Sequence, residues 1–234
     1  MLKRIVSRVC VLAFLIIGVA SAQAACVRPD TSDRSLRAAT VDDGGASRVY
    51  FVQGGDVAPG CPALTAVCRA RAFVVPGDVV LLSSSDGDYV CASFSNARGG
   101  LTTGWLAADS VTEQAPVKPS AQSWRGHWSA PEQDIVIAVT PAGALAIKGD
   151  ATWGGRDPER VRRGGVNVGD FEATVKPSGD ALAFTAGDRT LPFDQGEDTD
   201  CRVRLTLRGP YLVAADNNQC GGNNVTFSGI YRRG

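Results

Sequence analysis

The sequence has little histidine, and this scarcity limits the chemistry that the protein can perform. Among its 234 residues, His127 is the single histidine. Zinc hydrolases need several imidazole or thiolate ligands, and serine or cysteine hydrolases need a histidine beside the nucleophile. The glycine patterns of nucleophile elbows, Rossmann folds and Walker loops are absent as well. We therefore predict that the protein is not an enzyme, binds no metal and uses no cofactor. A hydrolase with paired carboxylates is the remaining catalytic alternative.

An excess of charge of either sign is also lacking. The sequence holds 24 basic and 24 acidic residues. A surface that binds nucleic acid needs a concentration of positive charge, which this balance does not supply. We therefore expect no nucleic-acid partner.

Long apolar runs are confined to the N-terminus. Three basic residues precede an apolar run at 9–20, and small residues surround an Ala-Gln-Ala sequence at 22–24, a pattern typical of a cleavable secretory signal. The run is about a dozen residues, short of the roughly twenty that span a bilayer, so a membrane anchor is the weaker alternative. Removal of residues 1–24 leaves 21 basic and 24 acidic residues, a net charge of −3. We expect a bacterial periplasmic or secreted protein whose mature chain has no membrane span.

The cysteines support export independently of the signal. Cys10 leaves with residues 1–24, and six cysteines remain, which in an oxidising compartment predicts three disulfides. No CxxC pair is present, so a metal site is the weaker alternative. We predict a Cys201–Cys220 disulfide across a hairpin, and we expect Cys91 to join the segment that holds Cys61 and Cys68. Sequence cannot choose among the three pairings of the first four cysteines, which are Cys26, Cys61, Cys68 and Cys91.

Short β-branched or aromatic runs recur between turn signals, and helical periodicity is almost absent. This spacing predicts an all-β protein of sandwich or barrel architecture. Residues 114–121 are rich in proline and polar side chains and read as an extended linker. The sequence therefore predicts domains at 25–113 and 122–234.

The first domain contains a Pro-Gly turn at 76–77, a hairpin turn at 86–88 and a Gly-Trp-Leu strand at 104–106. Over residues 47–112 this arrangement resembles bacterial SH3-like domains, which are small exported barrels. The resemblance implies a non-catalytic domain that binds cell-wall peptides, glycan or protein, with Trp105 and Tyr89 as stacking residues. The alternative places Trp105 in the core, because a small barrel needs a large apolar plug.

The second domain opens with Gly126-His127-Trp128 and ends with a strand that carries Arg232. A Gly-x-Trp on the first strand and a basic residue on the last resemble the calycin group, the lipocalin-like and avidin-like barrels. The resemblance implies an up-and-down barrel of about eight strands in which Trp128 plugs one end and Arg232 packs over it. Closure brings the first and last strands together, and a guanidinium stacks well on an indole. The C-terminal stretch also resembles exported proteobacterial proteins of unassigned function.

A loop of the second domain concentrates positive charge and is a candidate for anion binding. Its four arginines are Arg156, Arg160, Arg162 and Arg163. Asp157 and Glu159 lie among them, so a self-neutralised, solvated loop is the alternative. A single helical turn is expected after Asp157-Pro158.

Together these features predict a binding protein of the bacterial envelope. Its SH3-like domain would bind peptidoglycan or an envelope protein. The alternative function is a periplasmic inhibitor or immunity-type protein that blocks a lytic enzyme with the loop Asp216–Asn224.

Overall fold

The protein folds as two antiparallel β-sheets with very little helix, in a computed structural model that describes residues 25–42 and 44–234. The all-β prediction is confirmed. The predicted signal at residues 1–24 lies outside the described residues. Within the described part of the chain, no helix is long and apolar enough to cross a membrane.

The N-terminal sheet has seven strands in the order β3-β2-β6-β5-β4-β1-β7. They are β1 (Arg37–Val41), β2 (Val49–Val52), β3 (Arg69–Val74), β4 (Val79–Asp86), β5 (Tyr89–Ser95), β6 (Leu101–Ala107) and β7 (Val111–Glu113). The sequence predicts five of them. It misses the short β1 and β7, which pair with each other and place the end of the sheet beside the start of the linker.

The C-terminal sheet has nine strands and curls into a half-barrel. They are β8 (Gly126–Ala130), β9 (Gln133–Val139), β10 (Leu145–Trp153), β11 (Asn167–Val175), β12 (Ala181–Ala186), β13 (Leu191–Pro192), β14 (Cys201–Arg208), β15 (Tyr211–Asp216) and β16 (Gly229–Arg233). Successive strands are neighbours except that the short β13 lies outside β12, and the first strand, β8, pairs with the last, β16. The edges of the sheet are β11 and β13, so the ladder stays open between them.

Two short helices flank the C-terminal strands. Helix α1 (Ala121–Trp124) precedes β8 and lies where the predicted linker meets the second domain. Helix α2 (Pro158–Arg162) forms after Asp157-Pro158, as predicted. It begins there because proline fits the first helical position and the Asp157 carboxylate accepts the Glu159 and Arg160 backbone N–H groups.

Aromatic side chains fill the inside of the half-barrel. Phe171 packs against Phe227 at 4.7 Å and against Phe184 at 5.7 Å between ring centroids. Trp128 is 1% exposed in the same cluster, and its indole N–H donates to the Trp124 carbonyl oxygen. The interior is therefore occupied by the protein's own rings.

The arginine over Trp128 is Arg233, not the predicted Arg232. Arg233 faces Trp128 in the β8–β16 pair, and its guanidinium carbon lies 4.4 Å from the ring centroid. Arg232 points to the opposite face of the sheet and donates to the Ser95 carbonyl oxygen of the N-terminal sheet. Successive residues of a strand face opposite sides, so a shift of one residue exchanges the two roles.

Three disulfides form, and one predicted connection is wrong. Cys201–Cys220 is confirmed. Cys61 pairs with Cys68, seven residues on, and closes its own loop. Cys91 therefore does not join that segment; it bonds to Cys26 and fastens the N-terminal segment to β5. Three disulfides are typical of proteins that fold in an oxidising compartment.

The two sheets share a small hydrophobic interface. Leu36, Ala38 and Leu81 from the N-terminal sheet meet Tyr211 and Ile230 from the C-terminal sheet. The Tyr211 hydroxyl donates to the Val79 carbonyl oxygen, and the Arg208 Nε donates to the Leu36 carbonyl oxygen at 2.6 Å. Burial raises the pKa of the Tyr211 phenol. These polar contacts satisfy buried carbonyl groups of one sheet with side chains of the other.

Candidate ligand-binding surface

The two aromatic residues that the sequence proposes for ligand stacking lie in or against a core cluster. Trp105 is 0% exposed and packs with Val52, Cys61, Cys68 and Cys91. Tyr89 is partly buried against the same cluster. The indole of Trp105 thus serves as the plug of the small sheet, and a surface ligand has no access to its ring.

The four arginines of the candidate anion loop are not brought together into one site. Arg160 lies 4.0 Å over the Trp153 ring centroid and 3.7 Å from the Asp157 carboxylate. Arg162 and Arg163 are exposed. The backbone N–H of Arg156 donates to Glu132 at 2.9 Å. Arg160 is therefore engaged in holding the loop on the barrel.

The loop proposed for enzyme inhibition is fastened to the barrel at both ends. Asn217 Oδ1 accepts the Arg202 backbone N–H, and its Nδ2 donates to the Asp200 carbonyl oxygen. Asn223 accepts from Asn167 Nδ2 at 2.6 Å, and Gly222 donates to the Val168 carbonyl oxygen. Between these anchors, Asn218, Gln219 and Gly221 are exposed, whereas Cys220 is buried.

A groove of about 460 Å³ opens on the N-terminal sheet. It lies along β2, which within the described residues pairs with β6 at one position, Val52 opposite Trp105. Side chains of β2, of the Cys61–Cys68 loop and of the turn after β6 line the groove, among them Arg48, Tyr50 and Leu64. A concave site with a few polar groups beside apolar walls is the usual form of a ligand pocket.

Both signs of charge border this groove. Arg48 and Arg69 lie on one side, and Asp42 and Asp109 line the groove as well. Asp42 accepts a hydrogen bond from the Thr112 hydroxyl at 2.7 Å, which fixes its carboxylate. The groove therefore offers hydrogen-bond donors and acceptors to one ligand.

A row of four side chains runs from the groove across β2 and β3. Arg48 stacks over Phe73 at 4.4 Å, Phe73 meets Tyr50 at 5.7 Å, and Arg69 stacks over Tyr50 at 5.0 Å. We call these residues the arginine–aromatic row. The pair Tyr50–Phe73 faces directly across the strands, which places both rings on the outer face.

The row holds guanidinium groups in a position suited to anions. Stacking occupies the flat face of a guanidinium and leaves its N–H edge free for carboxylate or phosphate. Among the described residues, Arg48 and Arg69 have no carboxylate within 4.0 Å. The row can therefore bind an anionic group of a ligand without breaking an internal ion pair.

The single histidine takes part in a surface cluster that has no catalytic relay. His127 Nε2 lies 2.7 Å from Asp134 Oδ1, and the Ser129 hydroxyl donates to the same oxygen at 2.7 Å. A Ser-His-Asp relay needs serine and aspartate on different ring nitrogens. Here Ser129 and Asp134 both lie at Nε2, so the cluster is a hydrogen-bonded surface feature.

The sequence contains a signal for the arginine–aromatic row. Residues 69–73 alternate Arg-Ala-Arg-Ala-Phe, and Arg48 and Tyr50 are two residues apart. In a strand this spacing puts the arginines and aromatics on one face. Their exposure shows that the face points to solvent.

The chain matches no protein-family model, no curated protein and no solved structure.

Proposed function

We propose that the protein is a non-catalytic binding protein of the bacterial envelope, and that its N-terminal sheet binds the cell wall. The groove along β2 carries the proposal. It combines a volume of about 460 Å³ with an aromatic side chain, two guanidinium groups and two carboxylates. Peptidoglycan offers the matching groups, since its peptides have amides and carboxylates and its glycan has hydroxyls. The predicted export signal and the three disulfides agree with a periplasmic or secreted location.

A co-sedimentation assay with purified peptidoglycan tests this proposal. Ala66 is exposed and lines the groove, so Ala66→Trp fills the groove without disturbing a core. We expect the mature chain to be retained on peptidoglycan and Ala66→Trp to lose at least about tenfold in affinity, about 1.4 kcal/mol.

The matched control is Ala142→Trp, which adds the same side chain to an exposed turn between β9 and β10. It should bind as the unchanged protein does. A mature chain that is not retained, or that loses binding equally with both substitutions, would contradict the proposal.

A second candidate function is inhibition of a lytic enzyme, now supported by a different loop. Residues 54–68 form a loop whose second half is closed by Cys61–Cys68, and it presents three exposed apolar side chains, Val57, Leu64 and Val67. Leu64 is 76% exposed. A constrained loop with exposed apolar tips loses little entropy when it enters the cleft of another protein.

The two functions separate in one pair of assays. Inhibition predicts that the protein slows a lysozyme-like or amidase activity on peptidoglycan, and that Val67→Asp abolishes this effect. Cell-wall binding predicts retention without inhibition. Clearing of labelled peptidoglycan by the protein alone would show instead that it is an enzyme.

A further inference from the structure

Strand β3 is an edge of the N-terminal sheet and has an open side. It pairs with β2, and no further strand follows it in the sheet order. Within the described residues, the backbone groups of 70–73 make no hydrogen bond outside that pairing. Half of the N–H and C=O groups of an edge strand point away from its sheet and can pair with another strand.

The exposed side chains of β3 and of the chain just before β2 give this edge a positive charge. Arg69, Arg71 and Phe73 are exposed at alternate positions of β3, and Arg48 is exposed beside them. In the part of the chain that the structure describes, none of the three arginines forms an ion pair. A strand that pairs here with acidic residues at alternate positions would meet these arginines on one face.

We propose that β3 binds an extended acidic segment of a partner protein by strand addition. The partner's backbone would bond to the open side of residues 70–73, and its alternate carboxylates would pair with Arg69 and Arg71. This inference goes beyond cell-wall binding, because Arg71 and Phe73 lie outside the residues that line the groove.

Positive charge on an edge strand also prevents one copy from pairing with another, and this is the competing explanation. The two explanations differ in where the guanidinium groups lie. Arg48 and Arg69 are held in place by stacking on the rings of Phe73 and Tyr50, with their N–H edges free for an anion. Charge that only repels a second copy needs no such fixed position. Pairing of two β3 strands would bring like charges together, which disfavours a second copy as the occupant.

Binding of a labelled ten-residue peptide of alternating Glu and Thr, followed by fluorescence anisotropy with the mature chain, tests the proposal. We expect saturable binding that Arg71→Glu weakens at least about tenfold, about 1.4 kcal/mol. The matched control Arg162→Glu changes an exposed arginine on α2 and should leave the affinity within about twofold. A peptide with Gln in place of Glu should bind weakly.

Backbone methylation distinguishes strand addition from attraction between charges. In a strand, alternate N–H groups point to the same edge. Two peptides are therefore compared, one N-methylated at its Glu residues and the other at its Thr residues. Strand addition predicts that one of the two loses binding and the other keeps it.

Three results would overturn the proposal. The first is that both methylated peptides bind as tightly as the unmodified one. The second is that the peptide does not bind at millimolar concentration. The third is that Arg71→Glu and Arg162→Glu reduce the affinity for the peptide equally. Sedimentation velocity gives a further check: concentration-dependent dimerisation that Arg71→Glu removes would identify a second copy of the chain as the occupant. The cell-wall proposal is tested separately, since Arg71 does not line the groove that Ala66→Trp fills.

Discussion

The two sheets differ in how many of their aromatic side chains they bury: the C-terminal sheet buries most of them, whereas the N-terminal sheet buries Phe51 and Trp105 and leaves two rings on its outer face. In the C-terminal sheet, Trp128, Phe171 and Phe227 point inward and fill the half-barrel. In the N-terminal sheet, Tyr50 and Phe73 lie on the outer face under stacked arginines. Rings that pack inward stabilise a fold, and rings that remain at the surface with charged neighbours are available to a ligand.

The hydrophobic cores of the two sheets also differ. The half-barrel has one large continuous cluster, whereas the N-terminal sheet divides its buried side chains between a main cluster and a smaller one around Trp105 and two disulfides. Covalent links thus supplement a small core, as expected where little apolar area can be buried. We therefore treat the C-terminal sheet as the scaffold and the N-terminal sheet as the proposed binding surface.

The largest expected effect on stability comes from the scaffold. Trp128→Ala removes a fully buried indole together with its hydrogen bond to the Trp124 carbonyl oxygen. We expect the free energy of unfolding to fall by about 3–5 kcal/mol. Urea denaturation followed by circular dichroism measures this. Peptidoglycan binding of the protein that remains folded should not change; a loss of less than about 1 kcal/mol would argue against a scaffold role.

The disulfides should rank by the length of chain that they close. The Cys26–Cys91 bond spans 65 residues and the Cys61–Cys68 bond spans seven. Chain entropy predicts a cost of about 4 kcal/mol for losing the first and about 2.5 kcal/mol for losing the second. Paired Cys→Ala variants, compared by thermal unfolding, test the order. Equal losses would show that the small loop contributes contacts beyond its link.

Substitution of the two neighbouring arginines on β16 should lower the free energy of unfolding by unequal amounts. Arg232→Met loses a charged hydrogen bond to the Ser95 carbonyl oxygen, expected to cost about 1.5–3 kcal/mol. Arg233→Met loses its stacking on Trp128 and a solvent-exposed hydrogen bond to the Ser123 carbonyl oxygen, together expected to cost about 1–1.5 kcal/mol. Chemical denaturation of both variants measures the two losses of stability. The reverse order would mean that the contact between the sheets contributes little.

The smallest expected loss of stability comes from removal of the Tyr211 hydroxyl. Tyr211→Phe loses the bond to the Val79 carbonyl oxygen and should cost about 1 kcal/mol at neutral pH. Burial raises the pKa of this phenol from its ordinary value of 10.0, so the folded protein keeps the proton to higher pH than the unfolded chain. The neutral phenol therefore makes its full contribution to the free energy of unfolding below about pH 10, and this contribution is lost as the pH rises through the folded-state pKa.

Denaturation of Tyr211→Phe and the unchanged protein at pH 7 and above pH 10 measures this dependence. The difference in stability should shrink at high pH. Part of the decline should persist in the variant, since burial also raises the pKa of Tyr231 well above its ordinary value. An unchanged difference would show that Tyr211 is accessible to solvent.

The sequence predicts features that depend on local chain geometry. The Cys201–Cys220 bond and the helical turn after Asp157 follow from spacing within one hairpin and one loop. The Cys26–Cys91 bond depends on where a distant segment lies, which no spacing specifies.

Side-chain direction was harder to predict than strand location. Trp105 occupies a predicted strand, yet only the structure shows that its ring is buried between β5, β2 and the Cys61–Cys68 loop. Arg232 and Arg233 differ by one position, and the register of β16 against β8 decides which meets Trp128. The arginine–aromatic row arises from pairing of β2 with β3 across a loop of residues 54–68.

Hydrogen–deuterium exchange of the mature chain, with and without soluble peptidoglycan fragments, tests most directly whether the N-terminal sheet is the binding surface. The fragments should slow exchange at residues 48–52 and 64–69, which border the groove, and leave the half-barrel unchanged. Slower exchange in the loop 216–224 or the loop 154–165, with none in the N-terminal sheet, would contradict this account.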